Sequence, residues 1–210
     1  MTDGSGLPEE YRAHWEMHRE TIGRRLEEFR RVPPEEYHFE LLFCLLTPQS
    51  KARHAEEVIE RMRRDGWPRR EIDPVPYLRD PERYIRFHNQ KGMRLLRVRD
   101  EWPELLELIT SDLPSTEKRR RLVARVNGLG MKEGSHFLRN IGHLDLAIID
   151  RHILKHLVLA AAIPEVPRSM TPRRYLEIEQ TFGNLAAAWG LSLQELDLLL
   201  WSFEEGSVRK

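Results

Sequence analysis

Residues 127–132 read Asn-Gly-Leu-Gly-Met-Lys and lie between two segments with helical spacing of their apolar residues. Two glycines around one apolar residue let the chain turn sharply and leave room for another backbone to approach. The second helix would begin at Met131, where its first amide groups would form a binding site for a phosphate. This pattern, which we place at about residues 116–141, is typical of a helix-hairpin-helix motif. On glycines and periodicity alone, it fits both a DNA-binding hairpin and an ordinary corner between helices.

The same helical periodicity extends over nearly the whole chain, and no stretch sustains the alternation of a strand. Proline, glycine and capping residues separate the segments, as at Thr171-Pro172 and at Ser192 followed by Glu195. The sequence therefore predicts an all-α, multi-helix fold, with a proline-rich connection between lobes at residues 73–81. We expect helices at 8–30, 35–46, 51–64, 80–88, 91–108, 116–126, 131–141, 150–162, 171–188 and 192–205.

Composition excludes several classes of protein. The chain has 210 residues, enough to bury a core without cross-links. Its one cysteine, Cys44, cannot form an intrachain disulfide or a four-cysteine zinc or iron-sulfur site. His152 and His156 are one helical turn apart, but no third ligand accompanies them, so we expect no metal site. No apolar stretch approaches the roughly 20 residues that cross a bilayer, and we expect a cytoplasmic protein without membrane contact.

Charge is balanced overall but unevenly distributed along the chain. The 34 basic and 34 acidic side chains give a net charge of zero, which argues weakly against a nucleic-acid partner. Yet residues 84–99 and residues 118–125 each contain five basic residues and no acidic one. Each run alone fits a solvated helix face, whereas the two together favour a positive side of the surface.

Two charged residues at predicted helix starts are candidates for chemistry. Lys132 lies in the first turn of the second hairpin helix, where the helix field opposes a cation and favours the neutral, nucleophilic amine. It also fits an ordinary surface lysine. Asp150 follows the apolar residues 146–149 and precedes another helix. An N-cap is its simplest role, but a carboxylate after a buried segment can also face a cleft and stabilise a developing cation.

Two longer stretches around these residues resemble a known superfamily. Residues 128–140 read Gly-Leu-Gly-Met-Lys-Glu-Gly-Ser-His-Phe-Leu-Arg-Asn, and residues 145–154 read Asp-Leu-Ala-Ile-Ile-Asp-Arg-His-Ile-Leu. Together they resemble the helix-hairpin-helix, Gly/Pro-rich loop and aspartate of the DNA glycosylases. The combination is specific, whereas the hairpin alone would suit many binding modules.

Three further segments resemble the type 2 8-oxoguanine DNA glycosylase/AP lyases in particular. They are Arg-Phe-His-Asn-Gln-Lys at residues 86–91, Leu-Leu-Thr-Pro-Gln-Ser-Lys-Ala at residues 45–52, and the ending Asp-Leu-Leu-Leu-Trp at residues 197–201 with a terminal Lys210. The resemblance runs from about residue 35 to the carboxyl terminus. Pro48 and Gly134 depart from the pattern that we associate with this family.

The resemblance implies a fold and an activity. It implies one DNA glycosylase domain over residues 1–210, with helical lobes and a DNA cleft between them. It implies an enzyme that flips 8-oxoguanine out of the duplex, excises it and nicks the strand on the 3′ side of the abasic site. Lys132 matches the catalytic lysine, whose amine forms a Schiff base with the sugar. Asp150 matches the aspartate that stabilises the transition state and helps to activate the lysine.

The resemblance also implies residues that recognise the base and the DNA. Phe87 and Trp201 match the aromatic side chains that sandwich the base, and Asp197 would accept from the guanine edge. The terminal Lys210 matches a residue that distinguishes 8-oxoguanine from guanine. Beyond the base, three residues are expected to contact DNA: Gln49 near the gap left by the flipped base, and Gly128 and Gly130 at the backbone.

Partners and alternatives follow from the same reading. We expect a nucleoid-associated monomer whose partner is double-stranded DNA containing 8-oxoguanine. We expect no cofactor, although backbone carbonyls around residues 127–130 could hold a monovalent cation. One alternative is a glycosylase for another damaged base. The other is a helix-hairpin-helix module that binds DNA without catalysis.

Overall fold

A computed structural model describes residues 4–208, and within this range the chain forms eleven α-helices and one short 3-10 turn at Pro81–Arg83. The all-α class predicted from periodicity is confirmed. No helix in this range is both long enough and apolar enough to cross a membrane. The helices are α1 (Glu9–Arg30), α2 (Pro34–Leu46), α3 (Ala52–Arg64), α4 (Val75–Leu78), α5 (His88–Asp100), α6 (Trp102–Thr110), α7 (Ser115–Arg125), α8 (Met131–Asn140), α9 (Arg151–Leu159), α10 (Pro172–Ala188) and α11 (Leu193–Glu205).

The chain divides into two compact units. Unit 1 consists of Met1–Val32 and Leu138–Lys210, and unit 2 is the continuous stretch Pro33–Phe137. The prediction of a connection between lobes at residues 73–81 is wrong, because this segment lies inside unit 2 and contains α4. Pro74 is the N-cap of α4, and Pro76 and Pro81 lie in the first turns of α4 and of the 3-10 helix, where a missing amide costs no helical hydrogen bond.

Unit 2 is built around α2. Residues 41–46 are buried on every side of this helix, which is the pattern of a helix enclosed by its neighbours. The helices α3 and α5 pack against it. His38 is also buried and accepts a hydrogen bond at Nε2 from the indole of Trp67, at 2.9 Å. Burial lowers the pKa of His38 to about 4, so the ring is neutral and can accept this bond at pH 7.

Unit 1 is built around α11, which packs against α1, α9 and α10. The apolar residues 146–149 form a buried, non-helical approach to α9. Tyr175 of α10 holds this approach, because its hydroxyl donates to the Ala147 carbonyl at 2.7 Å and accepts from the Ile149 amide at 3.1 Å. The position at which Asp150 enters α9 is thus set by buried backbone hydrogen bonds.

The single helix expected at residues 91–108 is wrong, because the structure has two helices there, α5 and α6. The chain breaks at Glu101, and α6 then begins with Pro103 in its first turn. A proline ring clashes with the carbonyl four residues earlier and has no amide to donate, so one straight helix cannot continue through it.

The helix expected at residues 80–88 is also wrong. Before His88, where α5 begins, only the 3-10 turn at Pro81–Arg83 is helical, and the chain then runs through Ile85 to Phe87, whose φ is 61°. A left-handed residue cannot continue a right-handed helix, and α5 starts after it.

Candidate active site

The hairpin turn connects α7 to α8 at the predicted position. Its apolar residue, Leu129, is buried, and its amide donates to the Val126 carbonyl at 3.1 Å. Gly128 has φ of 86°, the conformation for which glycine was expected. Gly130 does not need a positive φ, but a Cβ there would come within 2.9 Å of the Glu133 carboxylate. The two glycines therefore serve different purposes, a turn at one position and a close contact at the other.

Small and polar residues join the two hairpin helices. Gly134 of α8 faces α7 so closely that a Cβ would lie 3.1 Å from Val123. Beside it, the buried Arg119 donates to the Ser135 hydroxyl at 2.8 Å. Gly134 therefore carries a packing role that offsets the cost of glycine inside a helix.

The basic run on α7 contributes less positive surface than its sequence suggests. Lys118 and Arg119 are buried, and Arg120 and Arg121 both pair with Glu117. These pairs lower the pKa of Glu117 to about 2. The prediction that residues 118–125 contribute to a positive side of the surface is therefore weakened for these four residues, because two are buried and two share one glutamate that precedes the run.

Lys132 is the second residue of α8, directly after the hairpin. Its side chain is 38% exposed, and Nζ lies 3.7 Å from Oε1 of Glu133. It is accessible to a substrate, and its charge faces a helix start that favours anions. The structure thus places an accessible amine in the first turn of α8, directly after the hairpin turn.

The helix α5 supports the hairpin from the side. Arg94 donates from Nε to Oδ1 of Asn127 at 3.1 Å, and its guanidinium fills the space beside Gly128, where a Cβ would lie 2.4 Å from Cζ. A cavity of about 290 Å³ lies here, lined by Gln90, Met93, Arg94, Arg97 and Asn127. The lining contains two guanidinium groups and no carboxylate, so the basic run on α5 does form a positive surface beside the turn.

Two exposed residues of unit 2 have unusual backbone conformations. Gln49 has φ of 56° and Phe87 has φ of 61°, and they are the non-glycine residues with positive φ in unit 2. Such conformations cost of order 1 kcal/mol or more and are common at functional sites. The Arg86 guanidinium lies 5.0 Å from the centre of the Phe87 ring. Both residues were expected from the sequence to act on the flipped nucleotide or its gap.

Asp150 is the N-cap of α9, as the simplest interpretation of the sequence held. Its Oδ1 accepts hydrogen bonds from the amides of His152 and Ile153, both at 2.9 Å. Within the described part of the chain, Oδ2 accepts no such bond. One carboxylate oxygen therefore holds the start of α9.

Asp197 and Trp201 lie one turn apart on α11, as predicted. Trp201 is partly exposed, whereas Asp197 is only 5% exposed. The Asp197 carboxylate lies 3.9 Å from the guanidinium of Arg139, which is itself buried over the Phe29 ring. This arrangement holds the carboxylate in place and limits how far it can reach into solvent.

Comparisons with known proteins agree with this geometry. The family model for 8-oxoguanine DNA glycosylase matches residues 22–191. The chain belongs to the 8-oxoguanine DNA glycosylase family. Its 8-oxoguanine DNA glycosylase/AP lyase relative from Fusobacterium nucleatum is 37% identical over 198 residues, which is 89% of each chain.

Solved structures of the family have the same fold. The 8-oxoguanine DNA glycosylase of Thermotoga maritima superimposes with a TM-score of 0.82 at 31% identity, covering 96% of this chain and 97% of that one. The Methanocaldococcus jannaschii 8-oxoguanine glycosylase/lyase, in complex with a 15mer DNA containing 8-oxoguanine, gives a TM-score of 0.81 at 30% identity. It covers 94% of this chain and 98% of that one.

The predicted site residues of this 8-oxoguanine DNA glycosylase family member fall into three groups. Gln49, Phe87, Gly128, Gly130 and Lys132 belong to unit 2, whereas Asp150, Asp197 and Trp201 belong to unit 1. Lys210, expected to discriminate the oxidised base, lies outside the described residues. The assignment of roles to all nine residues stays a prediction.

Sequence reasoning about this family member missed several supporting residues. Arg94, Arg119 and Arg139 each contact a predicted site element, and Lys91 is buried under the Gln49 turn. All four are long cations, which a sequence reading assigns to the surface by default. The one available signal was that Lys91 and Arg94 lie in the acid-free run at residues 84–99.

Proposed function

We propose that this chain is a bifunctional base-excision repair enzyme. It would flip 8-oxoguanine out of double-stranded DNA, excise it through a Schiff base on Lys132, and nick the strand 3′ to the abasic site. The observation that carries the proposal is the accessible Lys132 in the first turn of α8, directly after the hairpin glycines. Relatives with this fold are named 8-oxoguanine DNA glycosylase/AP lyase.

Lys132 supplies the nucleophile in this scheme. Its neutral amine attacks C1′, the C1′–N9 bond breaks, and the electron pair leaves with the base, which takes up a proton. The nitrogen then loses one proton, the C1′–O4′ bond breaks as the C=N bond forms, and O4′ takes up a proton, which gives the protonated imine. The imine then acidifies the C2′ proton, and its removal expels the 3′ phosphate. The positive end of α8 would attract the phosphate of the target nucleotide.

Asp150 supplies a fixed negative charge. Because Oδ1 is held by two amides of α9, the carboxylate needs little reorganisation when positive charge develops on the sugar. Oδ2 would face that charge and would also accept a proton from the attacking lysine.

Base recognition uses aromatic and polar groups. Phe87 and Trp201 would stack on the two faces of the flipped base, since both are at least partly exposed. Asp197, held by Arg139, would accept from the guanine edge, and Lys210 would distinguish the oxidised base. Gln49 would occupy the gap in the duplex.

The partner and cofactor proposals follow from this chemistry. The hairpin amides, with Gly128 and Gly130, would bind the DNA backbone, and the chain would act as a monomer on one lesion at the nucleoid in the cytoplasm. Schiff-base chemistry on a lysine needs no cofactor. Carbonyls around residues 127–130 would hold a monovalent cation beside a phosphate.

Borohydride trapping tests the proposal. Wild type, Lys132→Gln and Lys51→Gln are incubated with a duplex carrying one 8-oxoguanine, with an undamaged duplex as a second control. Lys51 is an exposed lysine at another helix start, the N-cap position of α3, so it matches Lys132 in chemistry and setting. We expect a covalent adduct with wild type and Lys51→Gln on the damaged duplex, and none with Lys132→Gln.

The other outcomes separate the alternatives. Release of free base without an adduct would indicate a glycosylase that uses water alone. Salt-dependent binding without base release would indicate a non-catalytic binding module or another lesion. An adduct that persists in Lys132→Gln would contradict the assignment of the nucleophile.

A further inference from the structure

Lys91 is a buried cation in unit 2 to which the proposed chemistry assigns no role. It lies on α5 and is 2% exposed. Its Nζ donates hydrogen bonds to the carbonyls of Leu46 and Pro48, both at 2.7 Å, and to the Ser50 hydroxyl at 3.2 Å. An ammonium group has three N–H donors, so these three acceptors engage all of them.

The three acceptors surround the turn that carries Gln49. Leu46 is the last residue of α2, and the Ser50 amide closes the turn by donating to the Thr47 carbonyl at 2.9 Å. Gln49 is exposed at the tip with a left-handed backbone. Lys91 therefore binds the turn from inside, on both sides of the residue with the unfavourable conformation.

The same network reaches the Phe87 turn. The Ser50 hydroxyl, which accepts from Lys91, also accepts from the Arg86 amide at 3.1 Å. The Lys91 amide donates to the Phe87 carbonyl at 2.9 Å. The Lys91 ammonium thus holds the Gln49 turn, and the Ser50 hydroxyl that it contacts links this turn to the Phe87 turn.

Burial of this charge is unfavourable in itself. Burial, together with the positive charge of Arg94, lowers the pKa of Lys91 to about 8. A buried charge is costly unless it is fully hydrogen-bonded, and an apolar side chain would fill the same space without that cost. All three compensating side-chain bonds go to the Gln49 turn. The amine is inaccessible, so Lys91 is not a second nucleophile.

We propose that Lys91 is a positioning residue for the DNA contacts of unit 2. Together with Ser50, it holds Gln49 and Phe87 in the left-handed turns that present one side chain to the gap and the other to the flipped base. The roles of Gln49 and Phe87 on DNA rest on the proposed function, whereas the support of the two turns does not.

The first experiment needs no DNA. Amide hydrogen exchange at Ser50 and Arg86 is measured by NMR in full-length wild type, Lys91→Met, Ser50→Ala and Lys51→Met. Methionine keeps the length of the lysine without its donors, and Lys51 is an exposed lysine next to the same turn. In Lys91→Met we expect about tenfold faster exchange at both amides, because the hydrogen bonds of the ammonium to the Gln49 turn are lost. In Ser50→Ala we expect about tenfold faster exchange at the Arg86 amide, because its bond to the Ser50 hydroxyl is lost. Lys51→Met should match wild type.

The second experiment asks whether Lys91 acts through Gln49. Single-turnover excision of 8-oxoguanine from a duplex is compared among wild type, Gln49→Ala, Lys91→Met and the double variant. If each single change slows excision about tenfold, a shared role predicts a double variant close to tenfold slower, whereas independent roles predict about a hundredfold. If Lys91 only supports the fold and does not act through Gln49, the two losses in excision rate multiply, and the double variant is about a hundredfold slower.

The outcomes distinguish this proposal from the proposed function. Unchanged amide exchange in both Lys91→Met and Ser50→Ala overturns the proposal. Faster exchange also overturns it if the double variant shows the product of the two single losses in excision rate. If Lys91→Met does not fold, Ser50→Ala replaces it in both experiments. If wild type releases no 8-oxoguanine, the proposed function fails, and the exchange measurement still decides whether Lys91 holds the turns.

Discussion

The starts of α8 and α9 carry the two predicted catalytic residues in opposite electrostatic settings. Asp150 caps α9, accepts two amides on one oxygen, and has the sign of charge that a helix start favours. Lys132 lies in the first turn of α8 with the unfavoured sign, and its ammonium has Glu133 at 3.7 Å. One residue stabilises its helix, whereas the other opposes it.

This difference determines how strongly the position of each residue supports a catalytic role. Capping alone explains an aspartate at Asp150, so its position says little about chemistry without further evidence. A lysine at the start of α8 has no comparable stabilising explanation, and its presence there is more informative. Substitutions at the two positions test this distinction if they change the excision rate and the free energy of unfolding separately.

The largest effect is expected from Asp150→Asn. Asparagine caps helices about as well as aspartate but carries no charge, so the excision rate should fall about 10²- to 10³-fold while the free energy of unfolding changes little. Single-turnover excision and urea unfolding measure the two quantities. Full activity in this variant would reduce Asp150 to a structural cap.

The hairpin glycines should differ in their sensitivity to alanine. Gly128→Ala forces a left-handed alanine and displaces the Arg94 guanidinium, so it should cost about 1–2 kcal/mol of stability and weaken DNA binding. Gly130→Ala meets only the end of the flexible Glu133 side chain and should cost less. Urea unfolding and salt titration of DNA binding check the order. Equal costs would contradict the separate purposes assigned to the two glycines.

Asp150→Ala removes the cap as well as the charge. It should lower stability by about 1 kcal/mol relative to Asp150→Asn. Thr171→Ala is a matched control, because Thr171 caps α10 through a bond from the Arg174 amide and has no proposed role in catalysis. A similar loss of stability with unchanged excision in the control would show that the activity loss at Asp150 does not come from the cap. Loss of excision in the control would undermine that assignment.

The smallest effect is expected from Lys132→Gln on stability. Removing a cation from a helix start should raise the free energy of unfolding by about 0.3–1 kcal/mol, since the exposed contact with Glu133 contributes little. Lys51→Gln, at the start of α3, should show a similar gain and keep full activity. Destabilisation by Lys132→Gln would show that the lysine supports the fold and would weaken the contrast with Asp150.

Local sequence signals predicted most helices but failed where a tertiary contact or a proline intervened. The helix expected at residues 91–108 ignored Pro103, whose effect is local and could have been anticipated. The helix expected at residues 80–88 failed because the Phe87 backbone is left-handed, supported by contacts with a turn nearly forty residues earlier. No local pattern reports such a contact.

The sequence by itself determined the all-α class, the hairpin turn and the candidate residues Lys132 and Asp150. These features depend on periodicity, glycine and capping, which act over a few neighbouring residues. Only the tertiary structure decided which charges remain on the surface. Lys91, Lys118, Arg119 and Arg139 are buried although their sequence context suggests solvent exposure. Burial of a cation depends on acceptors brought together from distant parts of the chain, so the sequence of one segment cannot specify it.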